Sequence, residues 1–151
     1  MAPPPEAVRL VEFREGHLDE LVPLWRASFE RGVGIVDPHP IADQIAYFRR
    51  EVLPHNAVRV AFEGDTMVGF VSANPQSVAQ LYVRCGCQGR GLGRLMLAWA
   101  KGQSSGTLWL HAFECNTGAR AFYEREGFRI VERGFVEFWG LDDLRYEWRR
   151  E

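Results

Sequence analysis

The residues that point most clearly to chemistry form a glycine-rich segment, Gln88-Gly89-Arg90-Gly91-Leu92-Gly93. This segment separates an apolar run that ends at Leu81-Tyr82-Val83 from an amphipathic run that begins at Leu92. The order predicts a turn between a strand and a helix. Glycines in such a turn let backbone N–H groups approach a ligand, and the first turn of the helix adds unpaired donors and partial positive charge. These properties are typical of a phosphate-binding turn.

The spacing of the glycines narrows the kind of phosphate ligand. Glycines at positions 89, 91 and 93 do not form the G-x-G-x-x-G fingerprint of dinucleotide-binding proteins, and no Gly-Lys-Ser/Thr of a P-loop follows them. The sequence therefore disfavours a nicotinamide or a nucleotide triphosphate. A turn whose glycines serve only close packing is the alternative. Arg90 and Arg94 flank the turn and could pair with phosphates, or could form a solvated helix end.

A second group of residues follows the next β-type run, which spans residues 107–113. Asn116 is a natural helix N-cap, and Gly127 is a natural helix stop. Asn116 and Tyr123 are seven positions apart, so we expect them on nearly the same helix face, about 10 Å from each other.

Together, Q-G-R-G-L-G at 88–93 and N-x-x-A-x-x-F-Y-x-x-x-G-F at 116–128 resemble the motifs of the GNAT superfamily of acyl-CoA-dependent N-acyltransferases. The resemblance covers most of the chain. It implies that acetyl-CoA is the acyl donor, that a primary amine is the acceptor, and that Tyr123 protonates the departing thiolate. It also implies that the strands on either side of the cofactor helix splay apart. The residues that the resemblance assigns to cofactor binding are Leu81, Tyr82, Val83, Gln88, Gly89, Arg90, Gly91, Leu92, Gly93, Arg94 and Asn116.

The sequence departs from the family pattern at two places. Family members often have proline and an aromatic residue where this chain has Arg84-Cys85-Gly86-Cys87, and often a glutamate base where it has Val78-Ala79-Gln80. Because glutamine is not a useful proton acceptor, the general base is unassigned. His111 and Glu114 are candidate catalytic residues at the end of the strand that leads to Asn116. A merely packed or solvated histidine is the alternative.

The first predicted helix and the loop after it border the acceptor site in many members of the family. They contain Trp25, Phe29, Glu30, Asp37 and His39. We interpret Trp25 and Phe29 mainly as core residues, because they share the apolar stripe of the helix. The sequence leaves open a polyamine, an amino acid, an aminoglycoside, a protein N-terminus or a lysine as acceptor. A non-catalytic acyl-CoA sensor or partner module is the alternative function.

Hydrophobic periodicity predicts an α/β fold with a mixed, largely antiparallel sheet flanked by helices. We expect one domain over residues 7–151, preceded by a short mobile tail at 1–6. The predicted strands span 7–13, 58–63, 67–73, 80–84, 107–113, 128–138 and 144–148. The predicted helices span 17–31, 41–53, 89–101 and the segment after Asn116.

Composition excludes several classes of protein. The net charge of −2 gives no basic footprint for nucleic acid, and no apolar run reaches the length of a membrane span. The opening Met-Ala-Pro-Pro-Pro-Glu lacks the features of a signal peptide, and three cysteines fit a reduced compartment, so we expect a cytoplasmic protein. Cys85 and Cys87 have no second ligand pair, which disfavours a metal site. The aromatic closing strands offer a surface for a homodimer.

Overall fold

The computed structural model describes residues 7–151, and the expected tail at 1–6 lies outside the described residues. The strands are β1 (Val8–Glu12), β2 (Ala57–Glu63), β3 (Thr66–Ala73), β4 (Val78–Val83), β5 (Thr107–Phe113), β6 (Arg129–Val136) and β7 (Leu141–Arg149). The α-helices are α1 (Leu18–Val33), α2 (Ile41–Tyr47), α3 (Leu92–Gly102) and α4 (Thr117–Arg125). Shorter helical turns span Glu15–His17, Phe48–Val52 and Leu53–His55.

The strands form two antiparallel sheets, with the orders β1-β2-β3-β4 and β5-β7-β6. A single parallel bridge between Ser77 and Trp109 joins them, and the N–H of Trp109 donates to the carbonyl of Gln76 at 3.0 Å. No further pairing links β4 to β5 within residues 7–151. The two strands therefore meet at one end and separate at the other. The predicted fold class is confirmed, as is the implied separation of the two strands.

Helices cover both faces of the first sheet. On one face, Met96 of α3 lies so close to β3 that a Cβ built on Gly69 would be 2.9 Å from Met96 Cε. On the other face, Leu21 of α1 and Phe48 pack against Phe70 of β3. Both faces of β3 are therefore buried between two cores, and β4 pairs with its edge. Within the described chain, none of the helices combines the length and apolar character that crossing a lipid bilayer requires.

Two helix boundaries differ from the prediction by three residues or more. The helix predicted to start at Gly89 begins instead at Leu92, because Gly89 and Gly91 adopt φ values of 79° and 82°, which a right-handed helix does not allow. The helix predicted over 41–53 is α-helical only to Tyr47 and continues as a wider turn over Phe48–Val52. Both changes lie beside the site described below.

Candidate active site

The strand β4 presents an open backbone edge to the gap between the sheets. The N–H of Arg84 donates to the carbonyl of Val68 on β3 at 2.8 Å. Hydrogen bonds alternate along an antiparallel pair, so the backbone groups of Tyr82 point toward β3 as well. The backbone groups of Leu81 and Val83 consequently point into the gap. Tyr82 is also predicted to bind the cofactor, but its backbone groups point toward β3, so it can face the gap through its side chain.

Gln88 stabilises the loop that leaves β4. Its Oε1 accepts a hydrogen bond from the N–H of Gly86 at 2.9 Å, and its Nε2 donates to the carbonyl of Val83 at 3.3 Å. The side chain therefore acts within the protein, and its predicted contact with the cofactor stays a prediction.

The turn after Gln88 is a row of free backbone donors. The N–H groups from Gly89 to Arg94 have no partner among the described residues. Gly89 has open space where a Cβ would be, and Gly91 forms the left-handed N-cap of α3. This geometry is suited to binding an anion, and the contact of these residues with a phosphate stays a prediction.

Gly93 has a different role from its neighbours. A Cβ at this position would lie 3.2 Å from the ring of Phe122, so Gly93 allows α3 to pack against α4. The alternative interpretation of the motif, in which glycine serves close packing of helices, therefore applies to Gly93.

The two arginines of the turn are unequal. Arg90 forms an ion pair with Glu63 on β2, whereas Arg94 is 79% exposed and lies 3.6 Å from Glu126. Arg94 is consequently the freer of the two to reach a phosphate. Phosphate pairing by either arginine stays a prediction.

Tyr123 lies on α4 with its ring buried against Phe128 and Tyr146. Burial raises the pKa of Tyr123, and the neighbouring Tyr82 raises it further. The hydroxyl of Tyr123 makes no hydrogen bond to any residue from 7 to 151, although it borders a cavity. A protonated hydroxyl without a partner in the described chain is suited to donate to a ligand.

That cavity, here called the gap cavity, has a volume of about 220 Å³ and lies between β4 and β5. Its lining includes Gln80, Leu81, His111, Asn116, Tyr123 and Asp143. Asn116 also accepts a hydrogen bond from the N–H of Ala119 at 3.2 Å, and a Cβ on Gly32 would be 2.8 Å from its Nδ2. Asn116 thus caps α4 and packs against α1 at the edge of the cavity.

His111 is paired with a residue that sequence reasoning missed. Its Nδ1 lies 2.9 Å from Asp143 Oδ2 on β7, and both side chains border the gap cavity. Only the pairing of β5 with β7 brings them together, so no local pattern in the sequence signals Asp143. Glu114, the other candidate base, lies 3.4 Å from Arg133 and is not among the residues that line the gap cavity.

A second cavity, here called the aromatic cavity, has a volume of about 690 Å³ on the other side of β4. Its aromatic lining consists of Trp25, Phe29, Tyr47, Tyr82 and Trp139. Trp25 and Phe29 are only partly buried, so they are cavity residues as well as core residues. Asp37 and His39 also line it, whereas Glu30 supports the loop by accepting from the N–H of Asp37 at 2.7 Å.

The two cavities meet at β4. Ala79, Gln80 and Tyr82 belong to the linings of both. Ala79 is the extra residue of a β-bulge, since Ser72 pairs with Gln80 and the next partner on β4 is Val78. Gln80 Oε1 accepts a hydrogen bond from Ser72 at 3.4 Å, and burial raises the pKa of Tyr82 to about 12. The junction is therefore lined by neutral polar groups.

Known structures share this architecture. The chain is similar to a GCN5-related N-acetyltransferase from Rhodopseudomonas palustris, with 20% identity, a TM-score of 0.78 and coverage of 99% of this chain and 97% of that chain. The PaiA N-acetyltransferase of Thermoplasma acidophilum, solved with coenzyme A, gives 18% identity, a TM-score of 0.74 and coverage of 94% and 98%. YncA of Salmonella typhimurium, solved with its cofactor acetyl-CoA, has 15% identity and a TM-score of 0.72. The similarity covers 96% of this chain and 95% of that chain. These similarities establish the shared fold.

A comparison with curated proteins gave no match. The model of the acetyltransferase (GNAT) family, in contrast, matches residues 18–128. The match contains the glycine turn, the open edge of β4 and Tyr123, and it spans most of the chain. The chain belongs to the GNAT family of acetyltransferases.

Proposed function

We propose that this protein transfers an acetyl group from acetyl-CoA to a primary amine by direct attack of the amine on the thioester. The observation that carries the proposal is the meeting of two cavities at β4. A thioester that lies along the gap cavity would present its carbonyl to an amine that enters from the aromatic cavity. Family membership and the coenzyme A complexes of two structural relatives support the same donor.

Acetyl-CoA fits the polar groups along the gap. The backbone groups of Leu81 and the N–H of Val83 suit the amides of the pantetheine arm, which can add to the sheet edge as a further strand does. The N–H groups from Gly89 to Arg94 suit the pyrophosphate, because they combine unpaired donors with the positive end of α3.

The chemistry requires three events. The amine nitrogen attacks the carbonyl carbon, and a C–N bond forms while negative charge develops on the oxygen. We assign stabilisation of this oxyanion to N–H groups on the open edge of β4. The C–S bond then breaks while the Tyr123 hydroxyl donates a hydrogen bond to the sulfur. The nitrogen releases to water the proton that the amide does not keep, and the departing thiolate takes up a proton from solvent.

The raised pKa of Tyr123 affects this last event. A thiol has a pKa near 8.5, so full transfer of a proton from tyrosine to thiolate is unfavourable at equilibrium. Tyr123 therefore acts mainly by hydrogen bonding to sulfur as charge develops.

The attacking amine must also lose a proton. An alkyl ammonium with a pKa near 10.4 needs about 4.6 kcal/mol to become neutral at pH 7. We propose His111 as the relay for this proton, because its Nδ1 lies 2.9 Å from Asp143 Oδ2, which can orient the imidazole at the edge of the gap cavity. Glu114 is the second candidate, but its contact with Arg133 directs its carboxylate elsewhere.

Release of free CoA tests the proposal. An acetyltransferase releases the thiol only when acetyl-CoA and an amine are present together. A non-catalytic sensor is the alternative function, because the neutral Gln80 stands where a catalytic carboxylate is often found. A sensor would bind acetyl-CoA without releasing thiol. Mass spectrometry of the amine product would distinguish transfer from hydrolysis. Binding of acetyl-CoA without turnover on a broad amine panel would favour the sensor.

A further inference from the structure

The wall of the aromatic cavity contains hydrogen-bond acceptors that residues 7–151 do not fully satisfy. Gln44 is only 6% exposed, and its Nε2 donates to Asp37 Oδ2 at 3.3 Å. Gln44 Oε1 has no donor among the described residues. A buried acceptor without a partner is costly, so its position in a cavity wall points to a donor supplied by a ligand.

Asp37 is a second acceptor in the same wall. The residue is 8% exposed. Its Oδ1 accepts a hydrogen bond from the backbone N–H of His39 at 2.9 Å and lies 2.7 Å from the ring Nδ1 of that residue. Arg26 Nη2 lies 3.5 Å from the same oxygen. Within the described residues, the hydrogen bond that Oδ2 accepts is the long one of 3.3 Å from Gln44. One carboxylate oxygen therefore retains acceptor capacity.

The remaining lining of the cavity favours positive charge. Five aromatic side chains line it together with three carboxylates, those of Asp37, Asp43 and Glu51. Arg50 is the guanidinium in this lining, and it lies 2.9 Å from Glu51. Asp43 has no ion-pair partner in the described part of the chain. Aromatic faces attract organic cations, so the rings and carboxylates act in the same direction.

We propose that the aromatic cavity binds a small amine acceptor that carries a second cationic nitrogen group, as an alkyl diamine does, and that this second group donates to Gln44 Oε1 and Asp37 Oδ2. The inference rests on the proposed function, because it assigns the class of acceptor to that reaction. A neutral tail would leave Gln44 Oε1 without a donor. An anionic tail would also face Asp37 and Asp43.

Three primary amines of similar length test the proposal: diaminopentane, hexylamine and aminovalerate. Their tails are cationic, neutral and anionic. We expect kcat/KM for diaminopentane to exceed that for the other two by about tenfold or more, the effect of a hydrogen bond to a charged group. The Gln44→Leu variant should lose about tenfold toward diaminopentane and change less than about twofold toward hexylamine.

Leucine removes the buried unpaired acceptor together with the long hydrogen bond from Nε2 to Asp37 Oδ2, so the fold of the variant is verified before its kinetics are compared. Gln44→Glu is the second variant, and it should increase the preference for the diamine. The matched control is Gln76→Leu, at an exposed glutamine that lines neither cavity, and its kinetics should equal those of the parent. Circular dichroism would verify folding of each variant.

Calorimetry with diaminopentane separates this inference from the proposed function. If diaminopentane binds saturably and Gln44→Leu weakens the binding, the cationic site is supported. If no amine leads to release of CoA, the transfer reaction is refuted, whatever the result for diamine binding. Equal kcat/KM for the three tails, or a parallel loss toward all of them in Gln44→Leu, would overturn the acceptor class while leaving acetyl transfer intact. No detectable diamine binding would overturn it as well.

Discussion

Replacing Tyr123 with phenylalanine removes one hydroxyl and little else. The ring contacts with Phe128 and Tyr146, at centroid distances of 5.7 Å and 6.3 Å, do not need the oxygen. Within the described chain the hydroxyl has no hydrogen-bond partner, so its removal leaves no protein group unpaired. We therefore expect Tyr123→Phe to change the free energy of unfolding at neutral pH by less than about 1 kcal/mol.

The effect on catalysis should be much larger than the effect on folding. Loss of a proton donor to a leaving group typically costs about a hundredfold in rate, which corresponds to about 2.7 kcal/mol of transition-state stabilisation. The hydroxyl acts as charge develops on sulfur, so the affinity for acetyl-CoA should stay nearly unchanged. A fall in kcat with an intact acetyl-CoA dissociation constant is the expected result.

The raised pKa of Tyr123 gives an independent readout. Its folded pKa lies above the value near 10 of an unfolded tyrosine, so the neutral side chain contributes stability below about pH 10 that is lost as pH rises above it. Above that pH the parent should lose stability faster than Tyr123→Phe, by up to about 1.4 kcal/mol per pH unit. Denaturant unfolding across the alkaline range would measure the difference.

Pre-steady-state thiol release gives the catalytic test, because it reports chemistry rather than product release. Phe122→Leu is a useful comparison, since it changes an aromatic neighbour on the same helix without removing a hydroxyl. If Tyr123→Phe turns over at the parental rate when chemistry limits the reaction, Tyr123 is a packing residue and the assignment of the acid is wrong.

Three further predictions concern the turn, the relay and the thiols. Gly91→Val should weaken coenzyme A binding by more than about tenfold in calorimetry, because valine disfavours a φ of 82° and its side chain would crowd the free N–H groups. The control Gly34→Val, at a φ of 80° outside the turn, should not weaken this binding. His111→Gln should reduce the rate more at neutral than at high pH, where free amine is plentiful, and if the variant follows the parent at every pH, water alone removes the proton. Chelators and reductants should leave activity and Tm unchanged, because the free thiols of Cys85, Cys87 and Cys115 are not needed as ligands or in a disulfide, and a stoichiometric metal in the purified protein would contradict this.

Local sequence patterns predicted most of the fold because they act over short distances. The strand over 107–113 and the two strands of the hairpin around Gly64 have clear β-type composition, and the structure places strands there. The start of α3 was predicted three residues too early, because helical periodicity does not reveal that Gly89 and Gly91 are left-handed. Helix boundaries depend on backbone conformation that composition does not determine.

The site was predictable only in part, for a related reason. The glycine turn and Tyr123 lie in contiguous motifs, whereas the contacts of Arg90 with Glu63 and of His111 with Asp143 depend on strand pairing. Gln44 carries no local signal at all, because its unpaired oxygen is a property of the folded cavity wall. Residues that act through tertiary contacts therefore need the structure.

The neutral junction explains why the proposed relay comes from the second sheet. Gln80 stands at the meeting point of the cavities and is hydrogen-bonded to Ser72, and its amide is not a useful proton acceptor. The His111 side chain, in contrast, is 49% exposed while its Nδ1 contacts Asp143. A proton taken up at His111 can pass directly to water. With the proposed relay on β5 and not on β4, the junction between the cavities stays uncharged. An uncharged junction favours an amine whose reactive nitrogen is neutral and whose second nitrogen, bound by Gln44 and Asp37, is charged.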